Sequence, residues 1–191
     1  TQDNLQVPAD ADFGFGTANW TLEAFIRPTS VSGIQRIFDL RNASATDTAP
    51  TVYMNGTALH FAVGNTSQIS GGTLAINTWY HVAATKSGTS IRMFVDGTQI
   101  GSTHTFSQTW DSETVGLSIG KRAIGSFERD FNGYLSNMRI IKGTALYTAN
   151  FTPPTARLEK TSDTVFLAFQ SPGDVLKEET GKILYPSTDG E

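Results

Sequence analysis

Hydrophobic and polar positions alternate along most of this chain with a period of two, the spacing of a strand with one buried face. The clearest case is residues 77–101, NTWYHVAATKSGTSIRMFVDGTQIG. It divides into three short strands at two tight turns, Ser87-Gly88 and Asp96-Gly97. An Asp-Gly pair between alternating runs is a strong hairpin signal, because a type I′ turn needs positive φ at both central residues. Ile91, Met93 and Val95 take one face of the middle strand, and Arg92 and Phe94 take the other. Residues 20–27 alternate as cleanly. Trp20, Leu22, Ala24 and Ile26 oppose Thr21, Glu23, Phe25 and Arg27 until Pro28 stops the run.

The same pattern places strands at 35–40, 51–54, 58–63, 116–120, 132–142 and 165–169, with Asn55-Gly56 as a further tight turn. Only residues 144–149 resemble a helix, of one or two turns. Within 132–142, Leu135 is apolar at an odd position, whereas Met138 and Ile140 are apolar at even ones. Strict alternation cannot bury all three, so a β-bulge is expected near Ser136-Asn137. If successive strands run antiparallel, their loops alternate between two ends of the molecule. One end then gathers 41–50, 64–78, Asp96-Gly97 and 121–130, while Trp110 falls at the other. Long loops on a rigid scaffold are the usual seat of a binding site.

Composition narrows the class. A chain of 191 residues with a hydrophobic fraction of 38% suits one all-β domain over 1–191, a two-sheet antiparallel β-sandwich of the jelly-roll kind. It begins at Thr1 with neither a start methionine nor a signal peptide, and reads as excised from a longer chain. Charged residues are only 17% and the net charge is −4, with no basic run, which speaks against nucleic acid as a partner. No apolar run approaches the roughly 20 residues of a membrane-spanning helix. The absence of cysteine removes disulfides, thiolate nucleophiles and sulfur-ligated metals together.

Three segments then carry a family resemblance. NLQVPADADFGFGTANWTLEAFIRP at 4–28, WYHVAATKSGTSIRMFVDG at 79–97 and FNGYLSNMRIIKGTALYTANFTPP at 131–154 follow one another in the chain. In that order they resemble the opening, central meander and closing strand of laminin G-like domains of the concanavalin A-like lectin/glucanase superfamily. The closing form, GTALY at 143–147 and NFTPP at 150–154, is similar to versions in bacteriophage tail-fibre and other virion proteins. Residues 164–169 look like the family's terminal strand, which pairs beside the first. The resemblance implies two curved antiparallel sheets and a role in sugar binding or protein adhesion. It also implies calcium at the rim in some members, and hydrolases among the relatives. Animal laminin G domains often carry a C-terminal disulfide, so the lack of cysteine points to a viral or bacterial source, at the cell exterior or the virion surface.

Retaining glycosidases need two carboxylates about 5–5.5 Å apart, and hydrolases of the superfamily supply them as Glu-x-Asp-x-x-Glu. The nearest match is Glu128-Arg-Asp130-Phe-Asn-Gly133, where Gly133 replaces the third carboxylate. The Gly-x-Ser-x-Gly match at Gly116-Leu-Ser118-Ile-Gly120 falls inside a predicted strand, not at the strand-to-helix turn of a nucleophile elbow, so the chain is expected to be no enzyme. Calcium is the one candidate cofactor, with Asp47 and Asp130 as its foremost ligands and Asp96 and Glu128 near by. Sugar binding needs an aromatic platform and convergent polar groups. Trp110, in a polar stretch, is the candidate platform, the alternative being that it tucks under its own loop. Arg41, Arg122 and Arg129, with Glu128, are the candidate polar contacts on the longer-looped end. Trp20 and Trp79 begin patterned strands and are assigned to the core. The expectation is a glycan-binding adhesion module of a virion fibre or other surface protein, in contact with other virion subunits. Its alternative is a structural protein–protein module that binds no sugar.

Overall fold

The computed structural model describes residues 5–41, 48–110, 116–121, 123, 129–171, 173 and 176–186. In chain order its strands are β1 (Leu5–Val7), β2 (Trp20–Pro28), β3 (Ile34–Asp39), β4 (Pro50–Asn55), β5 (Ala58–Val63), β6 (Thr66–Gly71) and β7 (Tyr80–Ser87). They continue as β8 (Ser90–Val95), β9 (Thr98–Thr105), β10 (Leu117–Ile119), β11 (Gly133–Lys142), β12 (Thr164–Ala168) and β13 (Tyr185–Pro186). Seven form a sheet in the order β13-β1-β10-β3-β4-β5-β6, and six form a second in the order β12-β11-β2-β7-β8-β9. Every pairing is antiparallel. This is the two-sheet sandwich that the alternation implies.

The inward positions are those the period of two selects. Leu22, Ala24 and Ile26 of β2, Val82 and Ala84 of β7, and Ile91 and Met93 of β8 share one core with Val52, Met54, Leu59 and Phe61 of the other sheet. Trp20 anchors one end of it, with ring centroids 5.7 Å from Phe15 and 5.8 Å from both Phe61 and Trp110. The bulge lies where expected. Ser136 faces Phe25 and Arg139 faces Glu23, so Asn137 and Met138 share one position opposite β2, and Asn137 takes φ +48°. That extra residue lets Met138 and Ile140 be buried while Leu135 also packs on the core.

Three expectations need correction. First, β6 has the sequence TSQISG, with Ile69 its one large apolar residue, so its alternation is invisible in the hydropathy pattern. An uncounted strand reverses the end assigned to every later loop. Trp110 therefore lies at the same end as Arg41, where Thr48 Oγ1 donates to the Thr109 carbonyl at 3.3 Å. The Asp96-Gly97 turn lies at the opposite end. Second, residues 164–168 pair with β11, whereas β1 is flanked by β10 and β13. Third, residues 144–149 are not helical. Their backbone groups bond instead to outward threonines: the Leu146 N–H donates to Thr21 Oγ1, Thr21 Oγ1 to the Thr144 carbonyl, and Thr85 Oγ1 to the Tyr147 carbonyl. Among the described residues no helix is long and apolar enough to cross a membrane.

Those bonds lay residues 144–160 across the outer face of the six-stranded sheet, the face that alternation would give to solvent. Tyr147 and Phe151 stack on each other with centroids 3.6 Å apart, and both meet Phe94 and His81 edge-on. Gly97 admits the crossing, because a Cβ there would stand 1.9 Å from the Phe151 carbonyl oxygen. Under this cover Glu23 is wholly buried. Its carboxylate accepts from Arg139 Nε at 2.8 Å and Nη2 at 2.6 Å, from the Tyr147 hydroxyl at 2.9 Å, and pairs with His81 Nε2 at 3.0 Å. Burial alone would raise the Glu23 carboxyl, but the His81 bond and the Arg139 charge outweigh it and hold the group below its ordinary 4.5. Burial and the Glu23 charge push the Tyr147 phenol upward, so it stays a donor.

A carboxyl depressed by folding stabilises the fold above its ordinary value, and that stabilisation is lost as pH falls through the folded-state value. Glu23→Gln strands the Arg139 charge under the cover, so urea denaturation at neutral pH is expected to show a loss of about 3–5 kcal/mol. The variant's stability should also fall less steeply than the parent's below pH 4.5.

Candidate functional site

The covering segment stops short of the open end of β2, and the uncovered patch forms a shallow pocket of about 510 Å3. Its walls come from four places: Phe25 on β2, Trp79 ahead of β7, Ser136 and Asn137 at the bulge, and residues 154–157. Each is held by a local rule. Ile26 pairs with Tyr80, so Trp79 comes next to Arg27 and projects outward with His81. The preceding turn is fixed on both sides: the Asn77 N–H donates to the Pro28 carbonyl at 2.6 Å, and Arg27 Nε donates to the Asn77 carbonyl at 3.2 Å. Asn77 takes φ +61° to permit this, a conformation that Asn tolerates better than most residues.

The bulge holds the far wall. Asn137 Oδ1 accepts from the Leu158 N–H and from Gln170 Nε2, each at 3.0 Å, and Asn137 Nδ2 donates to Ser136 Oγ at 2.9 Å. Arg139 Nη1 donates to the Glu159 carbonyl at 2.7 Å, so the ion pair of the buried cluster also fixes this wall. Between these anchors Arg157 stands exposed with no hydrogen bond or ion pair to another described residue. Trp79 is 47% exposed. An apolar indole face and a guanidinium unpaired among the described residues thus border one concavity, with no carboxylate among its described lining residues.

The residues singled out from sequence lie elsewhere. Trp110 is 2% exposed and stacks on Phe106 at 4.1 Å, so it tucks under its own loop and offers no platform. Arg41 is buried and forms a two-pronged ion pair with Asp39, while its Nη1 donates to Asn65 Oδ1 at 2.5 Å. All its guanidinium nitrogens are thus engaged within the fold, which corrects its reading as a free rim contact. Arg129 is half-buried and gives its carbonyl to the Arg36 N–H at 2.9 Å. Asp130 is half-buried, its carbonyl accepting from Asn132 Nδ2 at 3.3 Å. Arg122, Glu128 and Asp47 lie outside the described residues. Asp96 serves its turn, Oδ1 accepting from the His81 N–H at 2.8 Å. Among the described residues no three of His, Asp and Glu gather as a metal site. Trp79, assigned to the core, is the functional candidate that was missed. With Val82 and Ala84 facing inward, the parity of β7 already sets residue 79 on the outer face.

A model of the concanavalin A-like lectin/glucanases superfamily, laminin G type, matches residues 1–147, and the chain belongs to that family. No curated protein matches it. Among solved structures it is similar to the heptameric SAP-like pentraxin of Limulus polyphemus, at 18% identity and TM-score 0.57, over 97% of this chain and 89% of that one. It is similar also to the Ruminococcus gnavus IT-sialidase CBM40 bound to alpha2,3 sialyllactose, at 16% identity and TM-score 0.58, over 70% of this chain and 80% of that one. A Trypanosoma rangeli sialidase mutant displaying trans-sialidase activity matches at 15% identity and TM-score 0.53, over 71% of this chain. The match spans only 22% of that sialidase. These likenesses establish a lectin-like fold.

Trp20 is fully buried and Trp110 nearly so. Iodide is therefore expected to quench a single emitting population, and Trp79→Phe should leave a blue-shifted emission that iodide no longer reaches. Quenching that survives in Trp79→Phe would show that another indole is open to solvent.

Proposed function

We propose that this domain is a non-catalytic carbohydrate-binding module whose sugar-contacting surface is the pocket beside Trp79. The observation that carries the reading is an exposed indole face next to an arginine unpaired among the described residues, in an open concavity. The C–H face of a pyranose stacks on an indole, and a guanidinium meets the ring's hydroxyls. The lectin-like fold supports it, as does the neighbour solved with a sialylated sugar. None of the described lining residues is a carboxylate, so none of them offers an acid–base pair for glycosidic cleavage or a hard anionic ligand for calcium. It binds and releases. The proposed setting is a cell exterior or a virion fibre, supported by the likeness of the closing segment 143–154 to tail-fibre versions of the family.

A second reading, protein contact within an assembly, draws on Ile183 at 70% and Tyr185 at 39% exposure by the outer edge of the seven-stranded sheet. The pocket favours sugar, because its polar and apolar groups converge on one point.

A glycan array probed with the parent chain and with Trp79→Ala separates the two. Retention of one glycan class is expected. It should fall about tenfold or more in Trp79→Ala, the size of one good stacking contact, fall to a smaller degree in Arg157→Ala, and be unchanged by chelator. A blank array, or full retention by Trp79→Ala, would overturn the assignment.

A further inference from the structure

The outer face of the other sheet carries a second set of groups that the pocket does not use. β3, β4 and β5 pair so that Arg36, Tyr53 and His60 stand abreast, with Asp39, Thr51 and Ala62 in a neighbouring row. Arg36 lies over the Tyr53 ring with its guanidinium carbon 4.3 Å from the centroid. Stacking of this kind uses the flat face of the guanidinium and leaves its N–H groups pointing edgewise. Arg36 is 3% exposed, yet its Nε and Nη1 have no hydrogen-bond partner among the described residues, and the fully buried Thr51 Oγ1 has none there either. A buried arginine with idle donors is costly, and native folds seldom leave one so.

Charge balance points the same way. Asp39 is the described carboxylate that supports Arg36, but it is already committed to Arg41 Nε and Nη2, the Arg41 N–H and the Ala123 N–H. Arg41 and Arg129 add positive charge around Arg36, and with burial as the leading cause they lower its pKa to about 10. This face therefore gathers cations on a protein whose net charge is −4. The row ends in more accessible groups. His60 is half-buried, stacks on Tyr53 at 4.9 Å and shares a hydrogen bond with Ser67 at 3.0 Å, and both Ser67 and Ser70 are exposed.

We infer that the outer face of β3 and β4 is a binding site for an oxyanion, carboxylate or sulfate, which the idle donors of Arg36 and the Thr51 hydroxyl receive. The site is separate from the Trp79 pocket, on the other sheet, and stands or falls independently of it. Its ligand is an acidic group, borne on a sugar or free in solution.

Titration followed by chemical-shift mapping tests this, with four probes: glucuronate, galactose 6-sulfate, inorganic sulfate and glucose. The three anions are expected to shift signals of Thr51, Tyr53 and Arg36, and glucose is expected to leave them in place. Tighter binding of the two acidic sugars than of sulfate assigns the site to glycans. Equal binding assigns it to small oxyanions. Arg36→Met should weaken anion binding at least tenfold, Arg36→Lys and Thr51→Val by less, and Trp79→Ala not at all. Should Arg36→Met fail to fold, Thr51→Val and the mapping on the parent chain decide the matter. Anions that leave the Thr51 and Tyr53 signals unmoved, or bind the folded variants as tightly as the parent, would overturn the inference.

Discussion

A single buried carboxylate, Glu23, organises the covered outer face of the six-stranded sheet. Glu23 sits on the outward row of a strand, where water would ordinarily solvate it, and instead accepts from Arg139 and Tyr147 and pairs with His81 under a covering segment. An ion cluster of this kind gains little net stability over a well-packed apolar one, but losing a member is severe. Its effect here is positional. Arg139 reaches on to the Glu159 carbonyl and Tyr147 is part of the cover itself, so the cluster fixes where residues 144–160 cross the sheet.

The pocket is a consequence of that crossing. Segment and sheet touch at two backbone irregularities, the glycine at 97 and the bulge at Asn137, and between them the cover turns back before reaching the open end of β2. What stays uncovered is an aromatic and polar strip bounded by Trp79 and Arg157. The two sheets supply rigidity, and the covering strap supplies the shape. This division of labour explains how a common fold acquires a particular surface without altering its core.

Much of the architecture was legible in the alternation of the chain. Strands with several large apolar residues on one face, such as β2, β7 and β8, declare themselves, and the bulge follows from a single break in parity at Leu135. β6 did not declare itself, because an edge strand needs only one buried side chain, and Ile69 is that residue. That omission carried Trp110 and Asp96 to the wrong ends. Arg41 was misread because sequence shows a charge but not its partner, and Asp39 lies only two residues away. Residues 144–149, the start of the covering segment, resemble a helix in sequence because local propensity cannot see that Thr21 and Thr85 will satisfy their backbone. Trp79 was assigned to the core because it begins a patterned strand, but the parity of β7, with Val82 and Ala84 facing inward, sets residue 79 on the outer face.

Nuclear magnetic resonance of the three indole N–H groups tests the account at its centre, using the glycan that an array retains most strongly. Only the Trp79 indole is expected to shift on titration, with Arg157 moving beside it and the signals of Trp20 and Trp110 unchanged. A glycan that binds while the Trp79 signal stays fixed would place the recognition surface elsewhere and contradict the account.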